Sequence, residues 1–137
     1  MDENRKKPWT GTPMAPVHVH HQPHAMATVD RLPKPDGEAD AGQIVIRTLM
    51  VTPQMLMLEA IIPKGNQGSH HRHDDHDTMC YLVRGHMDVT IDGKTYPVHA
   101  GDSWQHPKGV WHSSFAHEES VQLEVKTPAI KTWHATE

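Results

Sequence analysis

Histidine is the most prominent chemical feature of this 137-residue sequence, which contains 14 of them. Neutral imidazole is the commonest side-chain ligand for transition metals, and it titrates near neutral pH. Eight of the histidines fall between residues 70 and 112. His71 and His73 are two positions apart, so on an extended strand both side chains point to the same face. This spacing predicts a two-ligand metal clip, although a short His-rich stretch is also typical of solvated surface.

A third candidate ligand follows a turn motif further along the chain. Reading forward from Gly101, five residues precede Pro107-x-Gly109, and two more residues precede His112. A Pro-x-Gly turn redirects the chain into the next extended segment. The motif therefore predicts that His112 points inward, towards the same space as the first two histidines.

Short apolar runs divided by turn signals surround these histidines. The runs cover residues 43–50, 54–62, 78–84, 86–92, 94–100, 111–116 and 120–127. No run keeps a 3.6-residue period, and this pattern predicts an all-β sandwich or barrel over residues 43–127. The pair Asp92-Gly93 predicts a tight turn between two of the runs. Residues 128–137 are interpreted as a short tail.

Residues 1–42 are interpreted as an arm rather than as part of the core. Six of the 11 prolines lie there, and proline removes a backbone donor and restricts the residue before it. The arm also contains His18, His20 and His21. These histidines form either a second metal clip or ordinary solvent-exposed surface.

Composition and charge exclude several classes of function. The net charge is −4 and there is no basic block, which argues against a nucleic-acid partner. No apolar run approaches the roughly 18–20 residues of a membrane span, and the first residues lack the apolar stretch of a secretory signal. The single cysteine, Cys80, excludes an internal disulfide framework and suits a reducing compartment. We therefore expect a cytoplasmic protein.

The sequence resembles the cupin superfamily in two ordered motifs. The first family motif runs Gly, five residues, His-x-His, three or four residues, Glu, six residues, Gly. This chain matches it with Gly65, His71, His73 and Gly85. The second runs Gly, five residues, Pro-x-Gly, two residues, His, three residues, Asn. This chain matches it with Gly101, Pro107, Gly109 and His112, and has Ala116 where the family has Asn. The resemblance implies a single-domain, jelly-roll antiparallel β-barrel.

The resemblance also implies one divalent metal ion per chain, with Fe, Mn, Ni and Zn all open. By resemblance His71, His73 and His112 are the histidine ligands. At the position of the family Glu this chain has Thr78, with Asp77 beside it. Three ligand sets stay open: the three histidines alone, the three with Asp77, or the three with His76.

Other residues near the motifs are candidates for the pocket and for proton transfer. Alternate residues of cavity strands shape such pockets. The candidate pocket residues are Thr78, Tyr81, Trp104 and Phe115. The candidate catalytic residues are His76, Asp77 and Glu124. Glu124 acts as a proton acceptor only if its strand face is the inner one, and a solvent-exposed face is the alternative.

A three-histidine site with open positions suits chemistry in which the substrate binds the metal directly. With Fe(II) it favours dioxygenase-type oxidoreductase chemistry. With Zn, Ni or Mn it favours Lewis-acid isomerase, lyase or decarboxylase chemistry. We expect a small oxygenated acid, ketone or catechol-like substrate, and the alternative is a non-catalytic small-molecule-binding or sensor cupin with a structural metal. The resemblance further implies a homodimer, formed by passing the N-terminal arm across the sheet of the neighbouring chain.

Overall fold

Strands make up most of the structure, a computed structural model that describes residues 11–17, 19–32 and 43–133. Their bounds are β1 (Thr12–Pro13), β2 (Thr28–Arg31), β3 (Val45–Val51), β4 (Leu56–Ile62), β5 (Asp77–Arg84), β6 (His86–Ile91), β7 (Lys94–His99), β8 (Ser103–His106), β9 (His112–Ala116), β10 (Ser120–Thr127) and β11 (Ile130–Lys131). One 3-10 turn covers His24–Met26. The all-β prediction is confirmed, since every predicted run coincides with a strand. The predicted runs did not include β1, β2, β8 and β11.

The strands pair antiparallel throughout the described residues. The larger sheet has the order β2-β3-β4-β10-β5-β8, and the smaller one has the order β7-β6-β9. A two-stranded ribbon joins β1 to β11. This arrangement agrees with the jelly-roll barrel that the cupin resemblance implied.

Alternation along each strand separates a buried face from an outer face. Leu58 of β4, Leu82 of β5 and Met87 of β6 are at most 1% exposed and belong to one apolar cluster. Residues between them along the strands point outward, as Met79 and Tyr81 of β5 do. Burial of this apolar face supplies the main driving force for closing the barrel.

Two connections depend on residues that tolerate positive φ. Asp92 and Gly93 have φ of 50° and 82°, which confirms the predicted tight turn between β6 and β7. Gly85 joins β5 to β6 with φ of 108°, and a Cβ there would lie 2.6 Å from the Cα of Ser120. Only glycine therefore fits this connection without displacing the start of β10.

The segment before β5 runs antiparallel beside β9 and closes one side of the barrel. The backbone N–H of Gly68 donates to the carbonyl of Ser114 at 2.8 Å. His71 and His112 exchange both backbone hydrogen bonds, at 2.9 and 2.8 Å. This pairing places the predicted clip of His71 and His73 beside the third candidate ligand, His112.

Parts of the N-terminal arm and of the tail pack on the barrel. β2 pairs with β3 at the edge of the larger sheet, and β1 pairs with β11. The division at residue 42 stays a prediction. His18 lies outside the described residues, while His20 and His21 are exposed.

Among the described residues, no helix has the length and apolar character that a membrane crossing requires.

Candidate metal centre

Three histidine side chains converge where the segment before β5 meets β9. The ring centroids of His71 and His112 are 4.4 Å apart, and those of His71 and His73 are 4.8 Å apart. The His73 and His112 rings are separated by 5.5 Å. One ligand nitrogen from each residue lies within 4.8 Å of the other two. Metal–nitrogen bonds of about 2.0–2.1 Å place two ligand nitrogens of one ion at most about 4.2 Å apart, so only small side-chain movements would bring these three atoms onto a single ion.

Backbone carbonyls fix the orientation of two of these rings. The Nδ1 atom of His71 lies 2.7 Å from the carbonyl oxygen of Ser69, and the Nδ1 atom of His112 lies 3.2 Å from that of Val110. Because a carbonyl oxygen only accepts, each Nδ1 carries the hydrogen and each Nε2 keeps its lone pair. Bonds of this kind usually orient metal-ligating histidines. The three histidines therefore fit a divalent ion.

The surroundings keep all three imidazoles neutral. Burial lowers the pKa of His73 to about 2, with further lowering from His71 and from the ammonium of Lys126. Burial is also the main cause that lowers the pKa of His112 to about 3. Burial lowers the pKa of His71 as well, against the opposing hydrogen bond to Ser69. Neutral imidazoles have the lone pairs that metal binding needs.

His76 lies beside this cluster but is engaged by other partners. Its ring is 4.7 Å from that of His73, and its side chain is buried. The Nδ1–H donates to Asp75 Oδ1 at 2.8 Å, and Asp75 Oδ2 accepts from the backbone N–H of Gly11 at 2.8 Å. The Nε2 atom faces Lys126 Nζ at 3.5 Å. Burial and the Lys126 charge lower the pKa of His76, so its Nε2 is an acceptor at neutral pH.

A buried ion pair lies on the inner face of β10. Lys126 Nζ is 3.2 Å from Glu124 Oε1 and donates to Thr78 Oγ1 at 3.1 Å. Gln122 Nε2 donates to the other Glu124 oxygen at 2.8 Å. Burial alone would raise the pKa of Glu124, but the Lys126 charge and these hydrogen bonds hold the pKa below its usual value. Glu124 is therefore an ionised carboxylate on the inner face.

Thr78 occupies the position of the family glutamate, and its neighbour is a cation. Its side chain points inward, and the ammonium of Lys126 donates to its hydroxyl group. A threonine hydroxyl is a weak metal ligand compared with a carboxylate. The chain thus has an ammonium group near the place where the family pattern puts an anionic ligand.

A further histidine and a tryptophan extend the cluster on the side of β8. The ring of His106 stacks on that of His112, with centroids 3.8 Å apart and planes inclined by 8°. Trp104 Nε1–H donates to His106 Nε2 at 3.2 Å. Burial lowers the pKa of His106 well below its usual value. Trp104 also lines a cleft of about 530 Å³ between β7 and β8, whose lining includes none of the three converging histidines.

Three of the sequence-derived candidates lie away from the cluster. Asp77 is exposed, and its Oδ1 accepts from the backbone N–H of Lys108 at 2.8 Å. Tyr81 is 46% exposed on the outer face of β5. Phe115 contacts the ring of His117 at 5.0 Å, on the outer side of the smaller sheet. A one-residue change along a strand reverses the face, which is why Asp77 and Thr78 diverge.

Two residues of the cluster, Lys126 and His106, were not among the sequence-derived candidates. Lys126 has the same parity on β10 as Gln122 and Glu124, so the polar alternation of this strand could have indicated it. His106 is two positions from the candidate pocket residue Trp104 on β8, so the same strand alternation could have indicated it.

Known proteins agree with this fold and motif pattern. The family model described as a cupin domain matches residues 57–125. The chain belongs to the cupin family.

Individual relatives are similar over most of the chain. The pectin degradation protein KdgF of Dickeya dadantii (strain 3937) is 29% identical over 91 residues, which are 65% of this chain and 83% of that protein. The crystal structure of an RmlC-like cupin from Shewanella frigidimarina superposes with a TM-score of 0.67 at 22% identity, covering 81% of this chain and 92% of the other. The structure of KdgF from Halomonas sp. gives a TM-score of 0.62 at 24% identity, over 72% of this chain and 87% of the other.

Proposed function

We propose that this protein is a mononuclear metal cupin that acts on a small hydroxylated carboxylic acid by Lewis-acid chemistry. One observation carries the proposal: three neutral imidazoles converge near a buried ammonium–carboxylate pair. His71, His73 and His112 would hold one divalent ion, with Fe, Mn, Ni and Zn as the candidates. When bound, the ion supplies open coordination positions and polarises a substrate oxygen.

Lys126 would bind the anionic end of the substrate. Its ammonium group is almost fully buried, with a side chain only 5% exposed, and Thr78 and Glu124 hold it in place. A charge-assisted hydrogen bond from a buried ammonium group is stronger than the same bond in water. This group favours a carboxylate-bearing substrate over a neutral one.

Glu124 would accept the proton that the polarised substrate releases. The pair with Lys126 keeps Glu124 ionised, so the carboxylate is an acceptor before the substrate arrives. Once the substrate anion also faces Lys126, the ammonium group is shared between two anions. The proton affinity of Glu124 then rises towards the range that general-base catalysis needs.

Asp75 and His76 would position Lys126. The Asp75 carboxylate accepts from His76 Nδ1–H, which leaves His76 Nε2 directed at the ammonium group. Lys126 therefore has a fixed set of neighbours: His76, Thr78 and Glu124. A preorganised cation loses little entropy when an anion binds to it.

The similarity to a pectin degradation protein suggests the substrate class. Pectin consists largely of uronic acids, so its breakdown yields small hydroxylated carboxylic acids. Such molecules offer a carboxylate for Lys126 and adjacent oxygens for the ion. We therefore propose a sugar acid of this kind as the substrate.

The test uses an enzymatic digest of pectin as the probe and follows sugar-acid signals by NMR. We expect metal-loaded protein to convert at least one component, and Glu124→Gln to lower kcat at least about 100-fold with unchanged metal content. Glu119→Gln is the matched control, because Glu119 is exposed and pairs with Arg84. Oxygen uptake during turnover would instead support the dioxygenase route. Saturable binding without turnover would support the sensor alternative. Either of these two results would overturn the proposal.

A second variant tests the anion contact. Lys126→Met should raise KM for a carboxylate substrate, because it removes the proposed anion contact, and should also lower kcat, because Glu124 loses the charge that keeps it ionised. Lys94→Met, at an exposed site above Tyr96, is the control and should leave both constants unchanged. An unchanged KM in Lys126→Met would contradict the anion-binding role.

We also propose a homodimer, with the outer face of the larger sheet as its contact. Met57 and Met79 flank Val125 across three paired strands, and Met79, Tyr81 and Val83 are 63%, 46% and 45% exposed. Exposed apolar patches of this kind commonly mark interfaces. Light scattering should give a dimer mass for the wild type and a monomer mass for Tyr81→Lys. A monomeric wild-type protein would contradict the proposal.

A cytoplasmic location stays a proposal. It depends on the single cysteine, Cys80, because a lone cysteine suits a reducing compartment. The thiol is free and buried, and burial raises its pKa well above the usual value. A protonated, enclosed thiol is unreactive, so Cys80 is a packing residue rather than a nucleophile.

A further inference from the structure

A second histidine cluster lies on the outer face of the smaller sheet. His86 of β6 pairs with His99 of β7, and the backbone N–H of His117, just after β9, donates to the His86 carbonyl at 2.9 Å. Three adjacent strands thus place three imidazoles in one row. The His86 ring is 4.5 Å from that of His99 and 4.6 Å from that of His117.

A carboxylate completes the cluster. Asp88 is two positions from His86 on β6, so both side chains share the outer face. Asp88 Oδ2 lies 2.8 Å from His117 Nε2. One ligand atom each from His86, Asp88 and His117 lies within 4.8 Å of the other two. Bonds of about 2.0–2.2 Å place the ligand atoms of a shared ion roughly 3–4.4 Å apart, so only small side-chain movements are needed.

An ion pair between His117 and Asp88 accounts for only part of this arrangement. Such a pair at the surface contributes little to stability, and it needs no further imidazole. His86 nevertheless lies between His99 and His117, in contact with both rings. Three protonated imidazoles at these distances would repel one another, whereas neutral ones offer lone pairs to a common ion.

We propose that His86, Asp88 and His117 bind a second divalent transition-metal ion, such as Zn²⁺, Ni²⁺ or Cu²⁺. Two imidazoles and one carboxylate suit borderline ions better than Mg²⁺ or Ca²⁺, which prefer all-oxygen sites. His99 stacks on His86 and holds its ring in position. The ion links β6 to the chain just beyond β9 and is therefore a structural metal ion that stabilises the sheet.

The outer site is independent of the interior one. On β6 the side chains of Met87 and Val89 point into the core, while His86 and Asp88 occupy the opposite face. The interior ligand His112 is buried, whereas His117 is exposed. No residue belongs to both groups, so each ion should bind without the other.

The test counts Zn²⁺ ions bound to the tag-free full chain after equilibrium dialysis. We expect the variant with both His86→Asn and His117→Asn to bind one equivalent fewer than the wild type. Asp88→Asn should weaken binding of the same Zn²⁺ ion, and it changes the surface less than the double variant does. The variant with both His20→Asn and His21→Asn is the matched control, because it removes two exposed histidines from the arm.

Two further measurements make the count decisive. Circular dichroism in chelator should show that all variants fold alike, so that a lost equivalent reflects a lost site. A variant with His71→Asn and His112→Asn should lose the interior equivalent and retain the outer one. Equal Zn²⁺ counts for the wild type and the His86/His117 variant would overturn the proposal. Loss of the equivalent only in the arm control would overturn it too.

Discussion

The two histidine clusters of this protein combine the same side chains with opposite surroundings. His73 and His112 are each 6% exposed inside the barrel, whereas His117 is exposed and His86 half-buried outside it. Inside, burial and the charge of Lys126 keep the imidazoles neutral, with a pKa of about 2 for His73 and about 3 for His112. Burial, rather than residue type, therefore keeps the interior imidazoles neutral.

The two clusters also differ in the contacts that hold their imidazole rings in position. Interior rings are fixed by backbone carbonyls, as the contacts of His71 with Ser69 and of His112 with Val110 show. The outer rings are held by stacking and by Asp88. Backbone anchoring restricts a ring more than contact with another side chain does, so we expect the interior site to bind its ion more tightly.

The largest effect should come from His112→Ala. Loss of one of three interior ligands should weaken binding of that ion at least about 100-fold, measured by elemental analysis after dialysis. The fold should persist in chelator, because the bridge between residues 71 and 112 is made by backbone atoms. His70→Ala is the control, since His70 stacks on Trp111 instead. If His112→Ala bound the interior ion with unchanged affinity, His112 would not be a ligand. The proposed difference in affinity between the two clusters would then be contradicted.

A large effect is also expected from pH on the metal-free protein. The folded-state pKa of His73 and of His112 is below the unfolded value of about 6.5, so the unfolded chain binds more protons as the pH falls. Stability present above pH 6.5 should therefore be lost at lower pH, by about 1.4 kcal/mol per pH unit for each histidine.

The measurement for this prediction is urea unfolding in chelator between pH 7 and pH 5. His73→Gln should reduce the slope by the contribution of one histidine. A slope that is the same in the wild type and in His73→Gln would show that burial does not hold this imidazole neutral.

The smallest effect should come from Asp77→Asn. Asp77 is exposed and accepts from the backbone of Lys108, so metal affinity should stay within about twofold of the wild type. Isothermal titration calorimetry with Zn²⁺ measures it, with Asp74→Asn as the control at a neighbouring exposed carboxylate. A loss of tenfold or more would mean that Asp77 turns inward to bind the ion.

Local patterning was enough to predict seven of the strands, β3 to β7, β9 and β10, and the turn between β6 and β7. Alternation is a property of consecutive residues, and Asp92-Gly93 has a strong conformational preference of its own. The spacing of His71 and His73 likewise placed two imidazoles on one face. Neither pattern specifies which distant strand pairs with the strand that carries it.

Sequence patterning therefore established the all-β character and the two histidine motifs. Tertiary contacts brought Lys126 beside His76 and Thr78, which are 50 and 48 residues away along the chain, and turned Asp77 outward. They also aligned His86, His99 and His117 across three strands. Strand register and barrel closure are set by burial of the whole apolar face, and a local period cannot specify them.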